Sequence, residues 1–195
     1  GGRYPGGTRD ARVGAQGPNV GGGSPGGGAG EAGRRVCEAA SGAKIAGPID
    51  RAQFGAPSWS LDSKSLYFIR LKQLKPSDPG TEKYRDATLV GWNLKSEPTP
   101  LYGPTMTKGP KFTADETPVL AIQPTAPIAI LLSINGVQNE VKAWTAPVAE
   151  AASPNAKWTL FGDRDEGVTS ADAHADDLFL LSHKNAPTFQ VLVVK

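Results

Sequence analysis

The sequence has very little of the chemistry that enzymes use. Its 195 residues include one cysteine, one methionine and two histidines. Because Cys37 has no second cysteine to pair with, an internal disulfide framework is excluded and the redox compartment stays open. The two histidines, His174 and His183, have no Gly-x-Ser-x-Gly motif to accompany them, so no nucleophile and base can be recognised. We therefore predict no catalytic, cofactor-binding or metal-binding residues in this chain.

Long apolar runs are also missing. No stretch approaches the roughly 20 apolar residues that a membrane span needs, and residues 1–30 lack the apolar core of a signal peptide. Residues 55–195 carry 14 basic and 15 acidic side chains, so no basic face for nucleic acid or an anionic membrane is indicated. The choice between a cytoplasmic and a periplasmic location stays open.

Glycine divides the chain into two parts, because 16 of its 24 glycines lie in residues 1–50. Residues 1–46 are rich in Gly, Arg and Pro and poor in large apolar side chains, so we expect them to be disordered. One alternative is an Arg/Gly nucleic-acid arm, although a regular repeat with aromatic residues is missing. Another hypothesis is that this segment is not native coding sequence, since its composition is typical of GC-rich DNA translated in a foreign frame.

Residues 55–71 predict a β-hairpin, with Trp59 before a polar turn and the apolar run 66–69 after it. Similar apolar runs begin near 119 and 178, a spacing close to one propeller blade. We predict an all-β fold in which residues 47–195 form a partial β-propeller of about three four-stranded antiparallel blades, the last incomplete. The predicted blades cover about 55–103, 112–162 and 163–195. Fewer than three complete blades would leave a sheet face and an open edge exposed.

Two acidic segments resemble sites but are better explained as turns. Residues 163–167 (Asp-Arg-Asp-Glu-Gly) begin like a calcium loop, yet the distal glutamate of an EF-hand is missing. Residues 172–177 (Asp-Ala-His-Ala-Asp-Asp) lie between two predicted strands. We expect an acidic turn between blades for the first segment and a solvated hairpin turn for the second.

Residues 182–187 (Ser-His-Lys-Asn-Ala-Pro), followed by the strand at 189–192, resemble the Thr-His-Lys-Asp-Ala-Pro element in the propeller of bacterial prolyl oligopeptidases. Residues 59–68 are similar to the Trp-Ser-Pro-Asp-Gly-Lys turn of that family, and residues 81–86 resemble its Tyr-Arg segment. Further stretches that agree are 135–140, Trp158 and 163–168. The resemblance covers about residues 47–195.

Some positions depart from the family pattern. Leu61 stands where proline is usual and Ser63 where glycine is usual, and residues 91–94 (Gly-Trp-Asn-Leu) replace a His-x-Leu-Gly strand. These departures indicate a diverged member.

The resemblance implies a function. Prolyl oligopeptidases combine a seven-bladed propeller, which admits only short peptides, with an α/β-hydrolase domain that carries the Ser-Asp-His triad and cuts after proline. This chain would then be an inactive fragment of the gating propeller of a bacterial serine peptidase. Its partners would be the hydrolase domain and short proline-containing peptides. The alternative is a non-enzymatic propeller of the WD40 or TolB-like kind that serves as an interaction scaffold.

Overall fold

The computed structural model describes residues 11–14, 34–52 and 57–194, and the chain divides into two compact units, Gly1–Ala52 and Gln53–Lys195. Apart from two short 3₁₀ turns, the regular structure of the described residues consists of antiparallel strands. The predicted all-β fold class is therefore confirmed. No helix in these described ranges has the length and apolar character to cross a membrane.

The first unit contains one three-stranded antiparallel sheet. Its strands are β1 (Ala11–Gly14), β2 (Arg34–Glu38) and β3 (Lys44–Ile49), in that order. Val36, Ala46 and Ile49 are buried. Residues 1–10 and 15–33, on which most of the predicted disorder falls, lie outside the described residues. The other residues of that segment, 11–14 and 34–46, contain β1, β2 and the start of β3.

The second unit contains three consecutive antiparallel sheets, each following chain order. Sheet I comprises β4 (Ser58–Trp59), β5 (Leu66–Arg70), β6 (Thr88–Trp92) and β7 (Thr99–Tyr102). Sheet II comprises β8 (Glu116–Ile122), β9 (Ile128–Asn135), β10 (Lys142–Pro147) and β11 (Thr159–Gly162). Sheet III comprises β12 (Val168–His174), β13 (Asp177–Ser182) and β14 (Gln190–Val194). The described strands thus have the predicted pattern of two four-stranded sheets and one sheet with three strands.

Strand β8 begins at Glu116, before the apolar run that starts near 119, so that Pro118 lies inside it. Proline lacks the N–H that a central strand must donate and is tolerated on an edge strand. β8 is an edge strand, and the carbonyl of Leu120 accepts a bond from Ser58 Oγ at 2.6 Å. Since residues two apart in a strand direct their polar groups to the same side, Pro118 also faces the open edge, where no donor is required.

The core between sheets I and II is built from alternate residues of their strands. Tyr67 and Leu89 of sheet I form one cluster with Leu120 and Leu131 of sheet II. Tyr102 is fully buried in this cluster, and its hydroxyl donates to the carbonyls of residues 151 and 153 at 3.1 and 2.6 Å. Because buried polar groups are costly without partners, these bonds tie the loop after β10 to sheet I.

The core between sheets II and III repeats the same arrangement with smaller residues. Ile130 clusters with Ala173 and Leu178, while Val168 and Leu180 cluster with residues that include Val141. Sheets II and III therefore each pack one face against the preceding sheet of the second unit. This serial face-to-face stacking is the arrangement of neighbouring propeller blades.

Candidate functional site

Two segments that the sequence analysis singled out meet at one end of sheet III. The hydroxyl of Ser182 donates to the carbonyl of Glu166 at 2.6 Å, and the amide of His183 donates to the carbonyl of Gly167 at 3.1 Å. Gly167 has φ 62°, and a Cβ there would lie 2.9 Å from the backbone nitrogen of Lys184. The close approach of the two segments therefore requires glycine at this position.

The acidic segment 163–167 forms a capped 3₁₀ turn at Arg164–Glu166. Asp163 Oδ1 accepts from the amide of Arg164 at 2.7 Å, and Glu166 Oε2 accepts from the amide of Asp163 at 3.1 Å. The two carboxylates thus satisfy the turn's own amides, as in a capping box. Within the described residues, no group of three or more His, Cys, Asp or Glu side chains is placed to hold a metal ion.

Arg164 extends from this turn to sheet II and forms a buried ion pair there. Its Nη1 lies 2.7 Å from Glu116 Oε1, and its Nη2 donates to Ser133 Oγ at 3.0 Å. The side chains of Arg164 and Glu116 are only 15% and 7% exposed. The second oxygen of Glu116 accepts from the amide of Thr113 at 2.6 Å. Both terminal nitrogens of Arg164 and both oxygens of Glu116 therefore have partners, which a buried charge pair needs, whereas Arg164 Nε is buried without a hydrogen-bond partner among the described residues.

The charge state of Glu116 follows from these contacts. Burial by itself would raise the pKa of this carboxyl group, but the bond from the Thr113 amide and the contact with Arg164 act in the opposite direction. The pKa of Glu116 consequently lies below its ordinary value, because bonds to the charged form favour ionisation.

His183 makes a second link between sheets II and III. Its Nε2 lies 2.7 Å from Glu140 Oε1, and its ring packs edge-on against Phe189 with centroids 5.6 Å apart. The contact with His183 is the largest cause of a lowered pKa at Glu140. The amide of Val141 also donates to the carbonyl of Val168 at 2.8 Å. We call this set of contacts, from Glu116, Ser133 and Glu140 to Arg164, Val168 and His183, the polar seam.

The other acidic segment, residues 172–177, forms the tip of the β12–β13 hairpin. Asp172 Oδ1 accepts from Gln123 Nε2 and from its neighbouring amide, both at 2.8 Å. His174 Nδ1 lies 3.5 Å from Thr125 Oγ1, and Ala175 turns the chain with φ 50°. The segment thus joins two strands as expected and contacts the adjacent loop of sheet II.

The turn at residues 60–65 holds Ser63 in a left-handed backbone conformation. Asp62 Oδ1 accepts from Ser60 Oγ at 2.7 Å and from the amide of Lys64 at 3.1 Å. Ser63 itself takes φ 56°, a conformation that glycine adopts more easily than other residues. The bonds that Asp62 accepts hold the turn closed around the serine.

A cleft of about 480 Å³ is lined by residues of sheets I and II, including Thr117 and Ile134, which neighbour the seam residues Glu116 and Ser133 in the chain. Its lining includes the aliphatic residues Ile69, Val119 and Ile134. At its rim Arg85 Nε lies 3.1 Å from Asp115 Oδ1. The chemistry of the cleft fits an apolar side chain, and its lining contains neither serine nor histidine.

The half of the polar seam that lies in sheet II was not predicted from the sequence. Glu116 and Ser133 lie in strands whose periodicity is apolar, and their partner Arg164 is distant along the chain. The signal that could have found it is the carboxylate of Glu116 at a buried position of a strand. A buried carboxylate is almost always paired, so it indicates a partner elsewhere in the chain.

No protein-family model matches the sequence. No curated protein matches it either. Among solved structures, the chain is similar to prolyl oligopeptidase B from Galerina marginata bound to a 25mer macrocyclization substrate, with 13% identity and a TM-score of 0.65. The match covers 85% of this chain and 24% of that chain. The apo form of the same enzyme matches with 14% identity and a TM-score of 0.55, covering 77% of this chain and 19% of that chain.

The similarity shows a fold like that of the propeller region of prolyl oligopeptidase B. The chain spans about a quarter of the length of the first of these structures.

Proposed function

We propose that the chain is part of the gating propeller of a prolyl oligopeptidase-type serine peptidase that cleaves short peptides after proline. The propeller would exclude folded substrates, and the Ser-Asp-His triad would belong to an α/β-hydrolase domain. The observation that carries this proposal is the 85% coverage of the chain by prolyl oligopeptidase B at a TM-score of 0.65. The Ser-His-Lys-Asn-Ala-Pro element, which lies at the polar seam, supports the same family.

The role of such a propeller is exclusion, which requires sheets that keep a fixed angle around a channel. The polar seam supports this requirement, since Arg164 and His183 connect sheet III to sheet II in addition to the apolar core. Directional bonds of this kind fix the relative orientation of two packed faces, which apolar contacts alone do not.

The edge of strand β8 supports the role of a channel that admits peptides without binding them. In a radial arrangement the first strand of a sheet lies nearest the channel. The open edge of β8 presents no donor at Pro118, the amide of Glu116 donates to the carbonyl of Thr113, and the carbonyl of Leu120 accepts from Ser58. A peptide that enters the channel would therefore find few free backbone groups to pair with.

The reading frame beyond the codon for Lys195 tests the proposal. A Gly-x-Ser-x-Gly motif between a predicted strand and a predicted helix, within a few hundred codons, supports the peptidase. Four or more further blade repeats followed by a stop codon, without that motif, would instead show a scaffold propeller.

A second test uses the purified 195-residue chain and a chromogenic Gly-Pro-linked peptide. We expect no hydrolysis above the blank, because the sequence contains no nucleophile elbow. Turnover that disappears on mutation of a single serine would overturn the assignment of catalysis to another domain.

A further inference from the structure

The turn between β9 and β10 contains the one Asn-Gly pair of the sequence, Asn135–Gly136. Asn135 is the last residue of β9, and its carbonyl accepts a bond from the amide of Gln138 at 2.8 Å. Residues 136–139 are exposed to solvent. An asparagine followed by glycine is also the pair in which the next main-chain nitrogen most easily attacks the side-chain amide, because glycine has no Cβ to obstruct the approach.

The structure leaves room for this attack at Asn135. A Cβ placed on Gly136, whose φ is 46°, would meet no heavy atom within 4 Å beyond its chain neighbours. Within the described residues the side-chain amide of Asn135 forms no hydrogen bond, and Asn135 lines the cleft of about 480 Å³. Asn93 shows the opposite situation, because its Oδ1 accepts from the amides of Lys95 and Ser96 at 3.0 and 2.9 Å.

We propose that Asn135 is a site of spontaneous modification by water, at which the side-chain amide is converted to a carboxylate through a cyclic imide. The main-chain nitrogen of Gly136 attacks Cγ of Asn135 and gives up its proton. The new N–Cγ bond replaces the Cγ–Nδ2 bond, and Nδ2 leaves as ammonia with that proton. Water then opens the ring at either of its carbonyl carbons, which gives aspartate or isoaspartate. Water is the co-reactant, and no group is oxidised or reduced.

The new carboxylate lies beside the polar seam. The β8–β9 register places Asn135 opposite Glu116, so the two side chains share one face of sheet II. Opposite side chains are about 5 Å apart at Cβ, and like charges at such positions are destabilising. Glu116 is the carboxylate that holds Arg164 of the adjoining turn at 2.7 Å. Modification of Asn135 therefore weakens the contact between sheets II and III, whether or not the chain belongs to a peptidase.

The reaction is tested by incubating the whole 195-residue chain at mildly alkaline pH, followed by digestion and mass spectrometry. We expect the peptide that contains Asn135 to exchange its amide NH₂ for OH with time, and its fragments to show isoaspartate as well as aspartate. In water enriched in the heavy oxygen isotope, the product should carry one heavy oxygen. Asn185 is the internal control, because it is exposed but is followed by Ala186. Its reaction should be slower by about tenfold or more.

The variant Gly136→Ala tests the chemical route. The added Cβ obstructs the attack on Asn135, so the rate at that residue should fall about tenfold or more. The open space around Gly136 accommodates the methyl group in the folded chain. Val137→Ala is the matched control, because Val137 is fully exposed in the same turn and does not belong to the reacting pair. Its rate at Asn135 should equal that of the wild type.

The variant Asn135→Asp tests the effect on the seam, because it supplies the aspartate product directly. We expect a lower midpoint in urea denaturation than for the wild type. The decrease should be smaller when the same change is made in a Glu116→Gln background, where the opposing charge is absent.

Three outcomes would overturn the proposal. The first is a rate at Asn135 in the folded chain that is no higher than the rate at Asn185. The second is an equal rate in the wild type and in Gly136→Ala, which would exclude the cyclic imide. The third is a urea midpoint for Asn135→Asp that equals or exceeds that of the wild type, which would exclude repulsion from Glu116. None of these results affects the reading-frame test of the proposed function.

Discussion

Removal of the Arg164 side chain should destabilise the packing of sheet III against sheet II more than any surface substitution. Arg164→Ala leaves Glu116 buried without its ion-pair partner. Breaking a buried pair in this way costs about 3–5 kcal/mol, and a typical domain has only about 5–15 kcal/mol of stability. The matched control is Lys142→Ala, since Lys142 Nζ lies 4.0 Å from Asp163 Oδ1 and both side chains are more than a third exposed. That loss should be at most about 1 kcal/mol.

The assay is urea denaturation of the 195-residue chain at pH 7, followed by tryptophan fluorescence. We expect a much lower midpoint for Arg164→Ala and a nearly unchanged midpoint for Lys142→Ala. The double variant Arg164→Met/Glu116→Leu should recover most of the loss, because it removes both charges and leaves no buried charge unpaired. The explanation would be refuted if Arg164→Ala lost no more stability than Lys142→Ala.

The same pair predicts a pH dependence with a definite sign. Because the pKa of Glu116 is lowered in the folded chain, its contribution to stability is present above the pKa of the unfolded state and disappears as the pH falls through the folded pKa. Glu116→Gln should therefore lose less stability than the wild type between neutral and acidic pH. If both proteins lost the same stability between neutral and acidic pH, the titrating group would not be Glu116.

Three further predictions concern the contacts around the seam and the core. Gly167→Ala should lower the free energy of unfolding by about 1–3 kcal/mol, because φ is positive and the new Cβ would meet the backbone of Lys184. Gly136→Ala should cost less in the same urea titration, because its φ is also positive, at 46°, but no atom lies near the new Cβ. Tyr102→Phe should cost about 1–3 kcal/mol in thermal unfolding, since the buried carbonyl of Ala151 and the partly buried carbonyl of Ser153 lose their shared donor. An unchanged midpoint would contradict these bonds. The pKa of Glu140, measured by carboxyl NMR, should lie below its ordinary value and rise in His183→Ala; an identical titration in both proteins would exclude His183 as the cause.

The strands of sheets I, II and III were predictable because their signals are local. The polar turn at residues 60–65 and the runs that became β5 and β13 carry β-branched and aromatic residues of strand length. The part of β8 before Pro118 was not predicted, because a proline normally marks the boundary of a strand. Only the order of strands in the sheet shows that Pro118 lies on an edge strand, where proline is tolerated.

Only the sheet III half of the polar seam was predictable from the sequence, for the same reason. Residues 163–167 and 182–187 stood out in the sequence, but nothing local connects Arg164 with Glu116, 48 positions earlier in the chain. Periodicity reports which face of a strand is apolar. It does not report which charged residue of another sheet lies opposite a single buried carboxylate.

The sequence by itself determined the β class, the repeating units of four, four and three strands, and the absence of a recognisable nucleophile elbow, because each depends on residue type and short-range spacing. The tertiary structure alone decided which residues of different sheets meet. It paired Glu116 with Arg164 and Glu140 with His183. These contacts depend on how the sheets stack, and stacking is set by the summed packing of faces that are far apart in the chain.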